Sequence, residues 1–344
     1  MEIKVDLFSD TGTRPSAEMR EFMARAEVGD EQLGEDPSVN RLNQLVAELL
    51  GKEAAIYLPS GLMANQISFA VHCRPGDEII MDQTAHPIHY EGGAVAVISG
   101  ASINPLAGER GIFTAEQVRE AIRTPDYHDP QTRVVSIEQT SNLGGGAVWP
   151  LETIKEICRV AKESRLSTHM DGARLLNAVA ATGIPAREYA ETFDSVWIDL
   201  SKGLGAPVGS VLAGSEQFIE QARYWKQRLG GAMRQAGIIA AGGIYALENN
   251  LERLSEDHHN ARRFAEGIAD LAQISLDPAR VETNIVLFEV NSMNGEELAD
   301  RLLSRGIRLS IMGENLLRAV THLDISSNDI DFAVTVIRDL LEEK

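Results

Sequence analysis

The 344-residue chain is 44% hydrophobic, enough for a large buried core and, at this length, for two domains. Its formal net charge of −19 repels phosphate backbones and anionic membrane leaflets, which argues against nucleic acid or a membrane as partner and for an enzyme acting on a small molecule. Aromatic residues, at 5%, are too sparse for a base-stacking platform, and the two cysteines, Cys73 and Cys158, make neither a disulfide framework nor a zinc motif, so a cytoplasmic protein is expected.

The opening MEIKVDLFSD lacks the apolar stretch of a signal peptide, and no apolar run reaches the roughly 20 residues that span a bilayer. Asp36-Pro37 starts a helix, with Asp36 as its cap and Pro37 in its first turn. Val39, Leu42, Leu45, Val46 and Leu49 follow with helical spacing, and Gly51 stops it. A strand is predicted at 54–58, then a turn and a helix in PSGLMANQISFAVHC. Further strands are predicted at 78–81, 134–137, 166–170, 196–200 and 210–212, and helices at 114–122, 151–163 and 215–228. Beyond residue 250 come a charged helix (251–271), a strand (284–290), a helix (295–304), short strands near Arg308 and Arg318, and a last helix from Asn328. Alternation of short β-branched runs with amphipathic ones predicts an α/β domain over 1–250, N-terminal segment included, and a smaller α+β domain over 251–344.

Two strand ends carry the chemistry. Asp171 closes one predicted strand, in STHMDGARLLNA, and Lys202 follows the next, in SVWIDLSKGLGAPVGS. Ligands of open α/β sheets sit beyond the carboxyl ends of the strands, so a carboxylate and an amine point at one crevice. An aldehyde cofactor with a pyridine ring calls for that pair: the amine condenses with the aldehyde, and the carboxylate keeps the ring nitrogen protonated as an electron sink. A loop cap and a solvated lysine are the plainer alternative. The stiff, small-residue loop around Lys202 argues against it.

The chain resembles the threonine aldolases, fold-type-I pyridoxal-phosphate enzymes of the β-eliminating-lyase group. The resemblance is carried by DLFSDTGTRPSAEM (6–19), VGDEQLGEDPSVN (28–40), LLGKEAAIYLPSGLMAN (49–65), HMDGARLLNA (169–178), LSKGLGAPVGSVLAG (200–214), GGAMRQAGIIAAGGIYAL (230–247) and LLRAVTHLD (316–324). It implies a large domain with a mostly parallel sheet, pyridoxal 5'-phosphate as cofactor, Lys202 as its Schiff-base lysine and Asp171 as partner of its ring nitrogen. By the same resemblance Ser60, Gly61 and Leu62 cradle the phosphate, His86 stacks on the ring, and Arg234, from a neighbouring subunit, approaches the phosphate. Ser9, Arg174 and Arg318 hold the substrate carboxylate, guanidinium forks matching carboxylates bidentately. The proton of the substrate β-hydroxyl passes to His86 or to water held by Glu91, which reads equally as a helix-surface carboxylate. His72, His89, His128 and His169 read as ordinary core or surface histidines. A homodimer or homotetramer with shared active sites is implied, and no chelating cluster argues for a metal.

Three positions depart from the family pattern. A substrate-side histidine becomes Ser141 in Glu138-Gln139-Thr140-Ser141-Asn142, an arginine becomes Phe8, and a lysine becomes Gln227. These remove positive charge and polar reach near the substrate, so that a bulkier or less polar β-substituent could fit. The expected reaction is retro-aldol cleavage of a β-hydroxy-α-amino acid to glycine and an aldehyde. β-Elimination, racemisation and transamination stay open as alternatives, and a non-catalytic binding module as a remote one.

Overall fold

The computed structural model describes residues 2–124 and 126–342; the last two residues of the expected second unit lie outside them. The strands are β1 Val5–Asp6, β2 Ala54–Leu58, β3 Asp77–Asp82, β4 Ser102–Leu106, β5 Gln131–Glu138, β6 Ser167–Gly172, β7 Ser195–Asp199 and β8 Ser210–Gly214, followed by β9 Ile274–Ser275, β10 Ile285–Val290, β11 Ile307–Arg308, β12 Ser310–Ile311 and β13 Leu316–Val320. β2 to β8 form a seven-stranded sheet in the order β2-β8-β7-β6-β5-β3-β4. β8 runs antiparallel to both neighbours, and the pairs from β7 to β4 are parallel. Every parallel strand therefore delivers its carboxyl end to the same edge of the sheet.

Local chemistry sets the elements. Asp36 caps the helix Pro37–Leu50, its Oδ1 accepting from Ser38 N and Val39 N, and Gly51 ends that helix in the left-handed region. The same buried carboxylate accepts the N–H of Gly237 at 2.8 Å, so one side chain starts two helices. The second of these, Gly237–Asn249, is the largest element that sequence pattern did not predict. Its glycines lower intrinsic helicity. Gly243 persists because a Cβ there would meet Leu200 at 2.7 Å and Leu42 at 3.2 Å. The edge strand β4 was also unpredicted; Pro105 disguises it, and an edge is where a strand tolerates proline.

Two hydrophobic cores are present. One spans Met19 to Leu254 around the large sheet, and the other joins residues beyond Ala261 to the four-stranded sheet β12-β13-β10-β9. The N-terminal segment corrects the predicted grouping: β1 pairs in parallel with β11, and Val5 and Leu7 bury in the second core. Among the described residues, no helix is long and apolar enough to cross a membrane.

Candidate active site

A cleft of about 650 Å³ opens at the carboxyl edge of the large sheet. β6 delivers Asp171 and the segment after β7 delivers Lys202. The turn after β2 brings Ser60, Gly61 and Leu62, and β3 leads to His86. Phe8 and Ser9 reach in from beyond β1, and Arg318 from β13.

Lys202 Nζ lies 3.3 Å from Asp199 Oδ2 and 5.9 Å from the centre of the Trp197 ring. Thr13 Oγ1 donates to the Lys202 carbonyl at 2.9 Å, which pins the loop. Asp171 is buried; its Oδ1 accepts from Ala173 N at 3.0 Å and its Oδ2 from Asn65 Nδ2 at 2.8 Å. Burial pushes its pKa above the ordinary carboxylate value, although His86, Lys202 and Asn65 pull the other way. A desolvated carboxylate of this kind gains from a cation placed against it.

His86 sits at the cleft wall with Nδ1 2.8 Å from Glu91 Oε1. Burial works to lower its pKa; the Glu91 hydrogen bond and the charges of Asp171, Glu91 and Glu138 outweigh burial and raise it. Glu91 does not line the cleft and is no surface residue. It is 3% exposed, accepting from Asn65 at 2.7 Å and from Gln66 at 2.5 Å, and so serves His86 from behind.

The helix Gly61–His72 points its first, unpaired N–H groups at the cleft. Ser60 caps it, Oγ accepting from Met63 N at 3.3 Å. A Cβ on Gly61 would stand 2.2 Å from the Trp197 ring. Gly61→Ala is therefore expected to cost about 1–3 kcal/mol through overpacking, read by urea unfolding; an unchanged midpoint would show that the indole yields freely.

The two arginines differ. Arg174 is committed: Nε and Nη2 donate to the two oxygens of Asp10, each at 2.7 Å. Both partners are buried, so the bidentate grip predicted for a substrate is already filled, leaving Nη1 for a ligand. Arg318 has no acidic partner within 4 Å among the described residues; Nη1 donates to Asn142 Oδ1 at 2.8 Å, and its buried Nε bonds to nothing. Ser9 Oγ accepts from Thr11 N and Thr11 Oγ1 beside it.

Ser141 is not brought to the cleft. It is 2% exposed and accepts from Gly144 N at 3.2 Å, stabilising a turn in which Gly111 and Gly144 crowd its hydroxyl; its neighbour Asn142 faces the cleft instead. Arg234 is bonded to Asp30 at 3.0 Å, largely exposed, and away from the chain's own cleft, and exposed Gln227 is likewise absent from the lining.

Sequence reasoning missed several groups. Asp10 and Asn142 were hidden because their partners, Arg174 and Arg318, lie far off in sequence, whereas Asp199 was passed over although it stands three residues before Lys202. Glu138 lies half-buried at the cleft, accepting from His86 N and Asn142 N at 2.7 Å each; desolvation, then the charge of Asp171, push its pKa up to about 7. Asn65 did leave a signal: Asn65, Gln66 and Ser68 are buried polar residues in an otherwise apolar helix.

A model of the β-eliminating lyases matches residues 6–291. The chain belongs to the β-eliminating lyase family. This lyase is 42% identical over 327 residues to the low specificity L-threonine aldolase of Escherichia coli K12, covering 95% of this chain and 96% of that one. It is 39% identical to the low-specificity L-threonine aldolase 1 of Arabidopsis thaliana, covering 98% and 96%. The solved threonine aldolase of Leishmania major shares the fold, with a TM-score of 0.85 at 19% identity over 98% of this chain and 99% of that one.

Proposed function

We propose that this lyase cleaves a β-hydroxy-α-amino acid to glycine and an aldehyde with pyridoxal 5'-phosphate as cofactor. The observation that carries the reading is the single cleft holding Lys202, the desolvated Asp171 carboxylate and the Arg318 guanidinium, which has no acidic partner among the described residues. The relatives named as threonine aldolases support the same chemistry.

The residues fit the cofactor. Asp171 would face its ring nitrogen, Ser60, Gly61 and Leu62 would offer backbone N–H groups to its phosphate, His86 would flank the ring, and Lys202 would bind its aldehyde. When bound, the group supplies an electron sink for the pair released from the Cα–Cβ bond. Arg318 and Ser9, helped by Nη1 of Arg174, hold the substrate carboxylate and so set which bond at Cα is weakened. Asn142 keeps Arg318 aimed. Glu91 occupies Nδ1 of His86, so Nε2 is the atom that takes the β-hydroxyl proton. Lys202 Nζ, steadied by Asp199, moves a proton and displaces product.

Phe8, Tyr90, Ile311 and Met312 give the substrate side of the cleft an apolar wall, and Phe8 is backed by the Arg308 guanidinium at 5.2 Å. This favours a larger β-substituent, phenylserine over threonine. Exposed Arg234 fits supply to a neighbour's phosphate site in a homodimer or homotetramer, and a cytoplasmic location completes the reading.

The test is a panel of β-hydroxy amino acids with the cofactor-loaded protein, quantifying glycine and aldehyde. A keto acid without glycine from every member would replace aldol cleavage by elimination or transamination. Within that panel, Arg318→Leu is expected to raise KM about 10- to 100-fold, the loss of a hydrogen bond to a charged group. An unchanged KM would remove Arg318 from the carboxylate grip.

A further inference from the structure

Beneath Asp171 lies a buried chain of side chains that the proposed reaction does not use. Its direction can be deduced from one end. An indole N–H only donates. Trp197 Nε1 stands 2.6 Å from Asn65 Oδ1, so that atom is the oxygen, and the amide nitrogen faces Asp171 Oδ2 at 2.8 Å and Glu91 Oε1 at 2.7 Å. His169 Nε2 lies 3.1 Å from the same oxygen and must donate to it. Burial holds His169 neutral, its pKa pushed down to about 3, so the ring has one N–H and Nδ1 accepts. The Ser195 hydroxyl donates to Nδ1 at 2.9 Å and accepts in turn from His72 Nε2 at 2.9 Å. Burial keeps His72 neutral as well, near 4.

We infer that His169 is a positioning residue: fixed as the Nε2–H tautomer by Ser195 and His72, it locks the Asn65 amide with its two N–H bonds on Asp171 and Glu91. Sequence pattern gave both histidines an ordinary core or surface reading. The fold makes them the anchor of a one-way series of donors that ends on two carboxylates of the cleft. The Ser195 backbone also favours a proton on the His169 ring. A proton placed on Nδ1 for it would leave Nε2 and Asn65 Oδ1 opposed as two lone pairs 3.1 Å apart. The Trp197 N–H and the two carboxylates would still hold the amide, but its oxygen would lose one donor and face a repelling lone pair, loosening it. The Nε2–H tautomer thus steadies the amide that bonds both the carboxylate meant for the ring nitrogen and the one that orients His86.

The inference rests on the proposed function only for what Asp171 faces, and the test separates the two. In the cofactor-free full chain labelled with nitrogen-15 histidine, NMR should show His169 protonated at Nε2 and bare at Nδ1, unchanged across roughly pH 6–8. His169→Phe should shift the Trp197 indole N–H signal and weaken pyridoxal phosphate binding about 3- to 10-fold, the worth of one or two hydrogen bonds. His169→Gln, which keeps a donor, should recover most of that loss. A proton found on Nδ1 overturns the inference, as does a folded His169→Phe protein with the indole signal and cofactor affinity unchanged. A wild-type chain that binds no pyridoxal phosphate would sink the proposed function, and the tautomer and indole signals would still decide this point.

Discussion

Lys202→Ala is expected to lower glycine release by roughly 10²–10⁴-fold, the range for loss of a positioned proton-transfer group, with covalent capture lost in addition. The loss will not reflect unfolding. The lysine side chain meets an ion pair with Asp199 at 3.3 Å and the face of the Trp197 ring, whereas Thr13 grips the backbone carbonyl, which alanine retains. Circular dichroism should therefore stay unchanged while the panel of β-hydroxy amino acids yields almost no glycine. Activity of Lys202→Ala within a few-fold of the parent would show that this amine does no chemistry.

Asp10→Ala should destabilise the protein by about 3–5 kcal/mol, because it strands a buried guanidinium without its counter-charge. Arg174 donates to both Asp10 oxygens at 2.7 Å, Asn284 Nδ2 adds a third bond at 3.1 Å, and Asp10 is fully buried. Asp10→Asn keeps one acceptor and should fall between the two in urea unfolding. The pair also fixes an acid limb. Burial raises the Asp10 pKa, but the Arg174 charge and hydrogen bonds outweigh it and hold it well below the ordinary 3.8. An acid depressed on folding stabilises above its unfolded value, and that stability is lost as pH falls toward the folded value. The wild type should therefore lose stability below about pH 4 more steeply than Asp10→Asn. Parallel acid limbs would show that the pair is worth little.

Much of the large sheet is legible in the sequence because its signals are local. Asp36-Pro37 and Gly51 bound a helix through capping groups a few residues apart, and the helices at 151–163 and 295–304 match the structure to the residue. Helix Gly237–Asn249 is not legible, since its glycines are chosen by residues on other elements, Gly243 by Leu42 and Leu200 and Gly242 by Pro207 and Met23. The same distinction runs through the site. Asp171 and Lys202 can be found at strand ends from sequence, and the structure brings them to one cleft. That Arg174 is already paired, that Ser141 turns away while Asn142 faces inward, and that Glu91 is buried behind His86 all depend on partners distant in sequence or on the turn of a loop.

The cleft is built from two inheritances. Lys202, Asp171 and the Gly61 helix start belong to the large sheet and its core, whereas Arg318, Ile311 and Phe8 ride on β13, on β12 and on the segment after β1, which are tied to the second core. Ser310 of β12 binds the Phe8 carbonyl at 2.6 Å, so these pieces move through mutation as a set. On the proposed reading, a change of preferred amino-acid side chain needs alterations in the smaller body alone, leaving the residues proposed to hold the cofactor untouched.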